Sequence, residues 1–202
     1  MSKNENISAI VLAGGYSSRM GDFKPLLQLG PYRAVEHAVL CFQRAGIGDV
    51  RVVVGFRAED VVEVVKPLGA SVVFNPDFPR GMFSSIQAGV RTLEPGVQAF
   101  FMLPVDIPLI TRITVEKIMD CGRPYYNGII YPVFNGRRGH PPLITTRYKD
   151  EIIGGSDQDG LRGILAKHEH ETFDIEVDNE TVLLNMNTPE DYYNLLSYLR
   201  MG

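Results

Sequence analysis

The residues best placed to do chemistry lie in one run, Leu12-Ala13-Gly14-Gly15-Tyr16-Ser17-Ser18-Arg19-Met20-Gly21-Asp22-Phe23-Lys24-Pro25-Leu26-Leu27. Its glycines allow consecutive backbone N–H groups to turn inward on an anion, and Arg19 and Lys24 bring two cations to the same place. A triphosphate is the natural ligand of such a cradle. The spacing is not that of a P-loop, because no Gly-Lys-Ser/Thr follows a glycine after four residues, and it is not the dinucleotide fingerprint either. A glycine turn with two surface cations accounts for any one of these residues but poorly for the whole set.

Other candidates are weaker singly. Asp106, in Pro104-Val105-Asp106-Ile107-Pro108, follows an apolar run, and a carboxylate at the end of a strand can hold Mg²⁺ beside a triphosphate. Alone, it reads more readily as a turn residue before Pro108. Gly81-Met82-Phe83-Ser84-Ser85 opens a helix whose free N–H groups and hydroxyls suit a base and ribose, or simply cap the helix. Asn185 and Asn187 precede Thr188-Pro189-Glu190-Asp191; an Asn carbonyl there serves either a metal or a cap. Arg137, Arg138, Gly139 and His140 form a basic turn suited to a phosphate or to solvent. His168 and His170 fit an exposed helix end better than a metal site, and His37 reads as a helix-surface residue. The loop 154–160 is open to two readings, a cover for a second substrate or an idle surface loop. Tyr125 and Tyr126 read as packing groups.

These residues need a frame. Ile7–Ala13 is an apolar run that ends in glycines, which predicts a strand buried on both faces. A helix over 34–45 stops at Gly46, and strands follow at 50–54 and 70–74 with a helix at 58–66 between them, although four valines there favour strand by propensity. A helix from Gly81 to about Leu93 and a strand over 97–103 continue the alternation. Helix 114–120, strand 128–134, helix 160–167, strands 171–177 and 182–186 and a helix from Thr188 complete it. Alternation of this kind predicts a parallel sheet with helices on both faces.

Length bounds the organisation: 202 residues suit one domain, with a nucleotide-facing part over about 1–110 and a second part over about 111–202. A hydrophobic content of 45% with 22% charged residues is that of an ordinary globular protein. A net charge of -4 argues against a nucleic-acid or anionic-membrane surface. The two cysteines, Cys41 and Cys121, build neither a disulfide framework nor a zinc site. With a polar start at Met1 and no long apolar run, the expectation is a cytoplasmic protein that is neither exported nor inserted.

The glycine segment resembles the first motif of the MobA-like nucleotidyltransferases, the family of the molybdenum cofactor guanylyl- and cytidylyltransferases. The likeness continues, in the family's order, through Asn75-Pro76-Asp77, Gly81-Met82-Phe83-Ser84-Ser85, Pro104-Val105-Asp106-Ile107-Pro108, Gly136-Arg137-Arg138-Gly139-His140-Pro141 and Asn187-Thr188-Pro189-Glu190-Asp191. It implies a Rossmann-like, mostly parallel three-layer α/β sandwich of the nucleotide-diphospho-sugar transferase type. It also implies an NTP held by Leu12, Ala13, Gly14, Gly15, Ser17, Ser18, Arg19, Lys24, Gly81, Ser84, Ser85 and Asp106, with Arg19, Lys24 and Asp106 catalytic. Mg²⁺ would sit on Asp106 and Asn187, and a phosphorylated acceptor against Arg138, Gly139 and His140. In relatives that transfer CMP the pair matching Asn185 and Asn187 is usually acidic, so this chain departs from the pattern there.

The reaction implied is in-line attack of an acceptor phosphate on the α-phosphorus, with pyrophosphate leaving and no strong base needed. The acceptor implied is molybdopterin, with a client molybdoenzyme beyond it. Gly14 resembles the guanylyl form, whereas Gly81–Ser85 and the His140 turn resemble the cytidylyl form, and bulky Met82 and Phe83 would narrow a base pocket. The expectation is therefore CTP over GTP. The rival readings are a sugar-phosphate nucleotidyltransferase and a silent cofactor escort.

Overall fold

Strand β1 (Ile7–Leu12) is buried throughout, and apolar but for Ser8, because both of its faces are covered. Ala9 and Val11 enter one core, Ile10 and Leu12 the other, as the two-residue period of a strand requires. The computed structural model describes residues 6–123 and 126–201. After β1 come a small antiparallel pair, β2 (Gln28–Leu29) and β3 (Tyr32–Arg33), and then α1 (Ala34–Arg44), β4 (Asp49–Val54), α2 (Ala58–Val65) and β5 (Ser71–Phe74). The next elements are α3 (Met82–Arg91), β6 (Ala99–Pro104), α4 (Arg112–Gly122), β7 (Ile129–Phe134), β8 (Arg137–Arg138) and β9 (Leu143–Thr145). Helices α5 (Lys149–Gly154) and α6 (Gly160–Ala166), strand β10 (Thr172–Glu176) and helix α7 (Pro189–Met201) end the chain.

The main sheet runs β10-β7-β9-β6-β1-β4-β5, with β8 paired to β7. Its neighbours are parallel except β9, which runs antiparallel to both β6 and β7, and β8, which runs antiparallel to β7. Helices α1, α2, α4 and α7 pack on one face and α3, α5 and α6 on the other, so the expected three-layer sandwich is the fold. Helix α3 lies close to the sheet at Gly89, where a Cβ would come within 2.7 Å of Ile10 Cγ2.

The valine-rich segment is the helix α2: Val61 and Val65, four apart, are its buried residues, and Glu59 and Asp60 sit at its positive end. Spacing overrides propensity here. Strand β9 escaped the sequence reading because it has three residues and follows Pro141 and Pro142.

Three expectations are corrected. The segment 182–186 is not a strand. Asn179 Oδ1 accepts from Thr181 N, which sets a 3-10 turn over Glu180–Val182, and Leu183 N then bonds Glu180 O. The basic turn expected over 135–140 is a turn only at Asn135 and Gly136, after which Arg137 and Arg138 form a short strand rather than a free loop. His168 is not at an exposed helix end: its ring stacks on Tyr148 at 4.2 Å, and Nε2 lies 2.6 Å from Glu151 Oε2.

Tyr126 donates its hydroxyl to Met119 O, a packing role as expected, and Tyr125 lies outside the described residues. The His37 ring, partly buried, lies 2.7 Å from Leu29 O. Burial pushes the Cys41 thiol far up and keeps it neutral, while Cys121 is exposed. No helix among the described residues is long and apolar enough to cross a membrane.

Candidate functional site

The carboxyl ends of β1 and β6 and the segment after β5 open onto one cleft of about 330 Å³. Open α/β sheets bind ligands there because the strands stop and the loops that follow them diverge. The loop after β1 is sewn to both neighbouring strands: Ala13 N donates to Val53 O, Phe56 N to Gly14 O and Val105 N to Leu12 O. This leaves Gly14 to Arg19 at the cleft wall, with Gly15, Tyr16, Ser18 and Arg19 exposed.

Close packing explains two glycines. A Cβ on Gly14 would stand 3.2 Å from Gly55 N and 3.3 Å from Ser85 Oγ, and one on Gly55 would strike Phe78 Cβ at 2.5 Å. Gly55, which the sequence reading passed over, therefore lets the loops after β1, β4 and β5 meet. Its one sequence signal was a glycine directly after an apolar strand. Ser17 adopts φ 59°, in the left-handed region, and its Oγ accepts from Lys24 N at 3.1 Å. That bond folds the segment back and fixes the Lys24 main chain at the cleft.

The Lys24 ammonium then reaches two side chains from far along the sequence. Nζ donates to Asn187 Oδ1 at 2.7 Å and lies 3.4 Å from Asp106 Oδ2, with the Lys24 and Asp106 side chains only 12% and 22% exposed. Asp106 sits just past the end of β6. Asn187 is brought beside it because Met186 N donates to Asp106 O at 2.7 Å. Asp191 Oδ2 in turn accepts from Asn187 N and Thr188 N, the backbone capping that starts α7. Asn185 points to a different hollow, beside α7, and does not line the cleft.

The donor set Asp106 and Asn187 is hard oxygen, one carboxylate and one amide. Magnesium takes few protein ligands of this kind and fills the rest with water and phosphate, so the residues fit such an ion. No group of three or more His, Cys, Asp or Glu suited to a metal occurs among the described residues.

Helix α3 enters the site through Gly81, whose φ of 107° is glycine territory. The two serines behind it divide their work. Ser84 Oγ is buried and lies 2.8 Å from both Asp77 O and Gly81 O, so it shapes the turn and does not line the cleft. Ser85 does line it. Both accept from Asn75 Nδ2, at 2.9 and 3.0 Å, while Asn75 Oδ1 accepts from Asp77 N. Met82 is 57% exposed on the cleft wall, whereas Phe83 turns into the core between sheet and α5, so only one of the two bulky residues narrows the cleft.

The expected acceptor residues do not sit together. Arg138 is not in the cleft: it is tied to Glu169 and Asp174 and lies over the Tyr131 ring. Gly139 is packed beneath Val182, where a Cβ would meet Val182 O at 2.5 Å. His140 is anchored through its N–H to Val182 O, and its Nδ1 is buried without a protein partner. Burial holds its ring below the ordinary imidazole range, against the opposing pull of the Asp106 charge and the Met102 backbone. Ala13 is buried in the strand extension rather than in the cleft wall. The loop 154–160 is tied to the far rim by Asp157, which pairs with Arg80 at 2.9 Å.

Comparisons with known proteins bear on the family and the fold. The model of the MobA-like NTP transferase domain matches residues 9–172. The molybdenum cofactor cytidylyltransferase of Escherichia coli is 27% identical over 194 residues, 92% of this chain and 93% of that protein. A probable molybdenum cofactor guanylyltransferase of Carboxydothermus hydrogenoformans is 28% identical over 203 residues, 95% and 96% of the two chains. Among solved structures, Rv0371c from Mycobacterium tuberculosis H37Rv superposes with a TM-score of 0.85 at 23% identity, covering 96% of this chain and 99% of that one. Its complex with manganese gives 0.79 at 21% identity, covering 96% and 100%. The chain is a nucleotidyltransferase and belongs to the MobA-like NTP transferase domain family.

Proposed function

We propose that the protein transfers a nucleoside monophosphate from an NTP, with CTP preferred, to a phosphorylated acceptor of the molybdopterin class, releasing pyrophosphate. The observation that carries this reading is the convergence of the Gly14–Arg19 loop, Lys24, Asp106 and Asn187 on one cleft from three distant parts of the chain. Loop N–H groups with Arg19 and Lys24 grip the phosphates and offset the charge that develops toward pyrophosphate. Gly81 and Ser85 flank the place left for the base and ribose. Ser84 acts from behind, by holding the turn that presents Gly81.

A divalent cation is general to nucleotidyltransferases of this family. Mg²⁺ on Asp106 and Asn187 would neutralise phosphate charge and help orient the triphosphate. Manganese in the complex of the Mycobacterium tuberculosis protein supports a divalent ion in this fold. On the acceptor side, His140 lies close enough to feel the Asp106 charge, which supports a place for the acceptor there. Arg138, held by two carboxylates, is left out of that role. Catalysis is then positioning and charge neutralisation, since a phosphate monoester is already an anionic nucleophile near neutral pH.

The preference for CTP is supported by exposed Met82 on the cleft wall and by the full-length likeness to a cytidylyltransferase. GTP is the second reading, favoured by Phe83 turning away from the cleft and by the comparable likeness to a guanylyltransferase. Pyrophosphate release, screened over four NTPs with molybdopterin and with a sugar phosphate as acceptors and with Mg²⁺ present, tests the proposal. Release with no acceptor in the set, or none at all, counts against it.

A further inference from the structure

The Lys24 ammonium occupies the space between the two side chains to which Mg²⁺ has just been assigned. Its bond to the neutral Asn187 Oδ1, at 2.7 Å, is the short one, while the charged Asp106 Oδ2 stands off at 3.4 Å. One ammonium thus uses the amide oxygen and partly neutralises the carboxylate. A divalent ion held by the same two oxygens would lie within contact distance of Nζ, where two positive charges repel strongly in a partly buried site. We propose that Lys24 is the resident cation of the Asp106–Asn187 pair in the nucleotide-free protein, so that the divalent ion enters with the triphosphate and not ahead of it.

Several features make the exchange workable. The Lys24 main chain is fixed through the Ser17 Oγ bond, so only the side chain has to move. A lysine carries its charge on a stem with four rotatable bonds, and the phosphate-facing loop Gly14 to Arg19 lines the same cleft. Triphosphate oxygens in that loop draw the ammonium away from Asn187 and free both oxygens at the moment a cation is needed. The neutral amide at Asn187 fits this account. With only one carboxylate, the empty pair would carry a single negative charge, which one ammonium balances. The device also keeps the site from holding a divalent ion in a protein with no nucleotide bound.

This inference rests on the assignment of the cation to Asp106 and Asn187, and the experiment separates the two. Mn²⁺ is titrated into nucleotide-free protein, with free Mn²⁺ read by electron paramagnetic resonance, for the wild type, Lys24→Met and Lys24→Gln. Both variants should bind Mn²⁺ roughly tenfold tighter or more than the wild type, within the usual range of coupling between two sites. Lys24→Gln gives a second reading should Lys24→Met fail to melt cooperatively. Equal or weaker Mn²⁺ binding by a folded variant overturns the inference. In parallel, Asp106→Asn is titrated with Mn²⁺ in the presence of α,β-methylene-CTP. If Asp106→Asn weakens that binding while the Lys24 variants bind as the wild type does, the metal assignment stands and Lys24 is not its occupant. If Asp106→Asn changes nothing, the assignment itself fails and the inference falls with it.

Discussion

Replacing Asp106 by alanine removes the one carboxylate that lines the cleft among the described residues and leaves its supporting hydrogen bond intact, because Met186 N bonds the Asp106 backbone oxygen and not the side chain. The structure sets the scale of the effect on stability. At the Lys24–Asp106 separation of 3.4 Å the gross attraction is about 5 kcal/mol at an effective dielectric near 20. Desolvation of two mostly covered groups offsets most of that, leaving a net contribution of about 1 kcal/mol. For a chain of this size such a loss lowers Tm by roughly 2–4 °C. The effect on turnover is far larger, because a missing charge-stabilising group in a site of this kind costs about a hundred- to a thousandfold in kcat. Pyrophosphate release at saturating NTP and Mg²⁺, paired with a thermal melt, measures both. Near-normal turnover in a folded Asp106→Ala variant would refute the cation assignment. A collapsed melting transition with unchanged specific activity of the folded fraction would show Asp106 to be structural instead.

The other expectations follow from the same geometry. Arg19→Ala and Lys24→Ala should each lower turnover by roughly a hundredfold. Tm should change little for exposed Arg19 but fall by roughly 2–4 °C for Lys24, which loses the same Asp106 pair, and a variant that loses its melting transition while keeping its specific activity would show a scaffold role. Gly55→Ala has to displace Phe78, so it should raise KM for the nucleotide more than it lowers kcat; an unaltered KM would show that the loops after β4 and β5 are free to shift. Met82→Ala should move the kcat/KM ratio of CTP to GTP toward GTP, and a wild type that already prefers GTP removes the argument from size. For His140, burial lowers the folded pKa below the ordinary 6.5, so the folded state binds the proton less well than the unfolded chain. Its contribution to stability is complete above about pH 6.5 and is lost as pH falls below that value. His140→Gln should flatten the loss of Tm over that range, and an identical acid limb in the variant would refute the assignment.

Some of this protein is decided by local sequence. The apolar run of β1 ending in Gly14-Gly15, and the valines of α2 spaced to bury one face, determine strand and helix from neighbours alone, because periodicity and glycine stops act over a few residues. Arg19 and Lys24 were legible as a pair of cations in one place for the same reason, since one loop holds both, and both line the cleft. The roles that needed distant partners were not. Asn187 reads from sequence as either a helix cap or a ligand, and only the Met186–Asp106 backbone bond puts its side chain opposite the end of β6. Ser84 and Ser85 are adjacent and chemically identical, yet the helix turn and Asn75 send one into the turn and leave the other on the cleft. Arg138 looks like a phosphate ligand beside His140, but Glu169 and Asp174, brought near by the parallel pairing of β10 with β7, neutralise it elsewhere. The residue types and the order of the elements come from the chain itself. Which side chains share the cleft is decided by long-range pairing, because a charge or an amide takes its role from whichever partner the fold sets within about 3 Å of it.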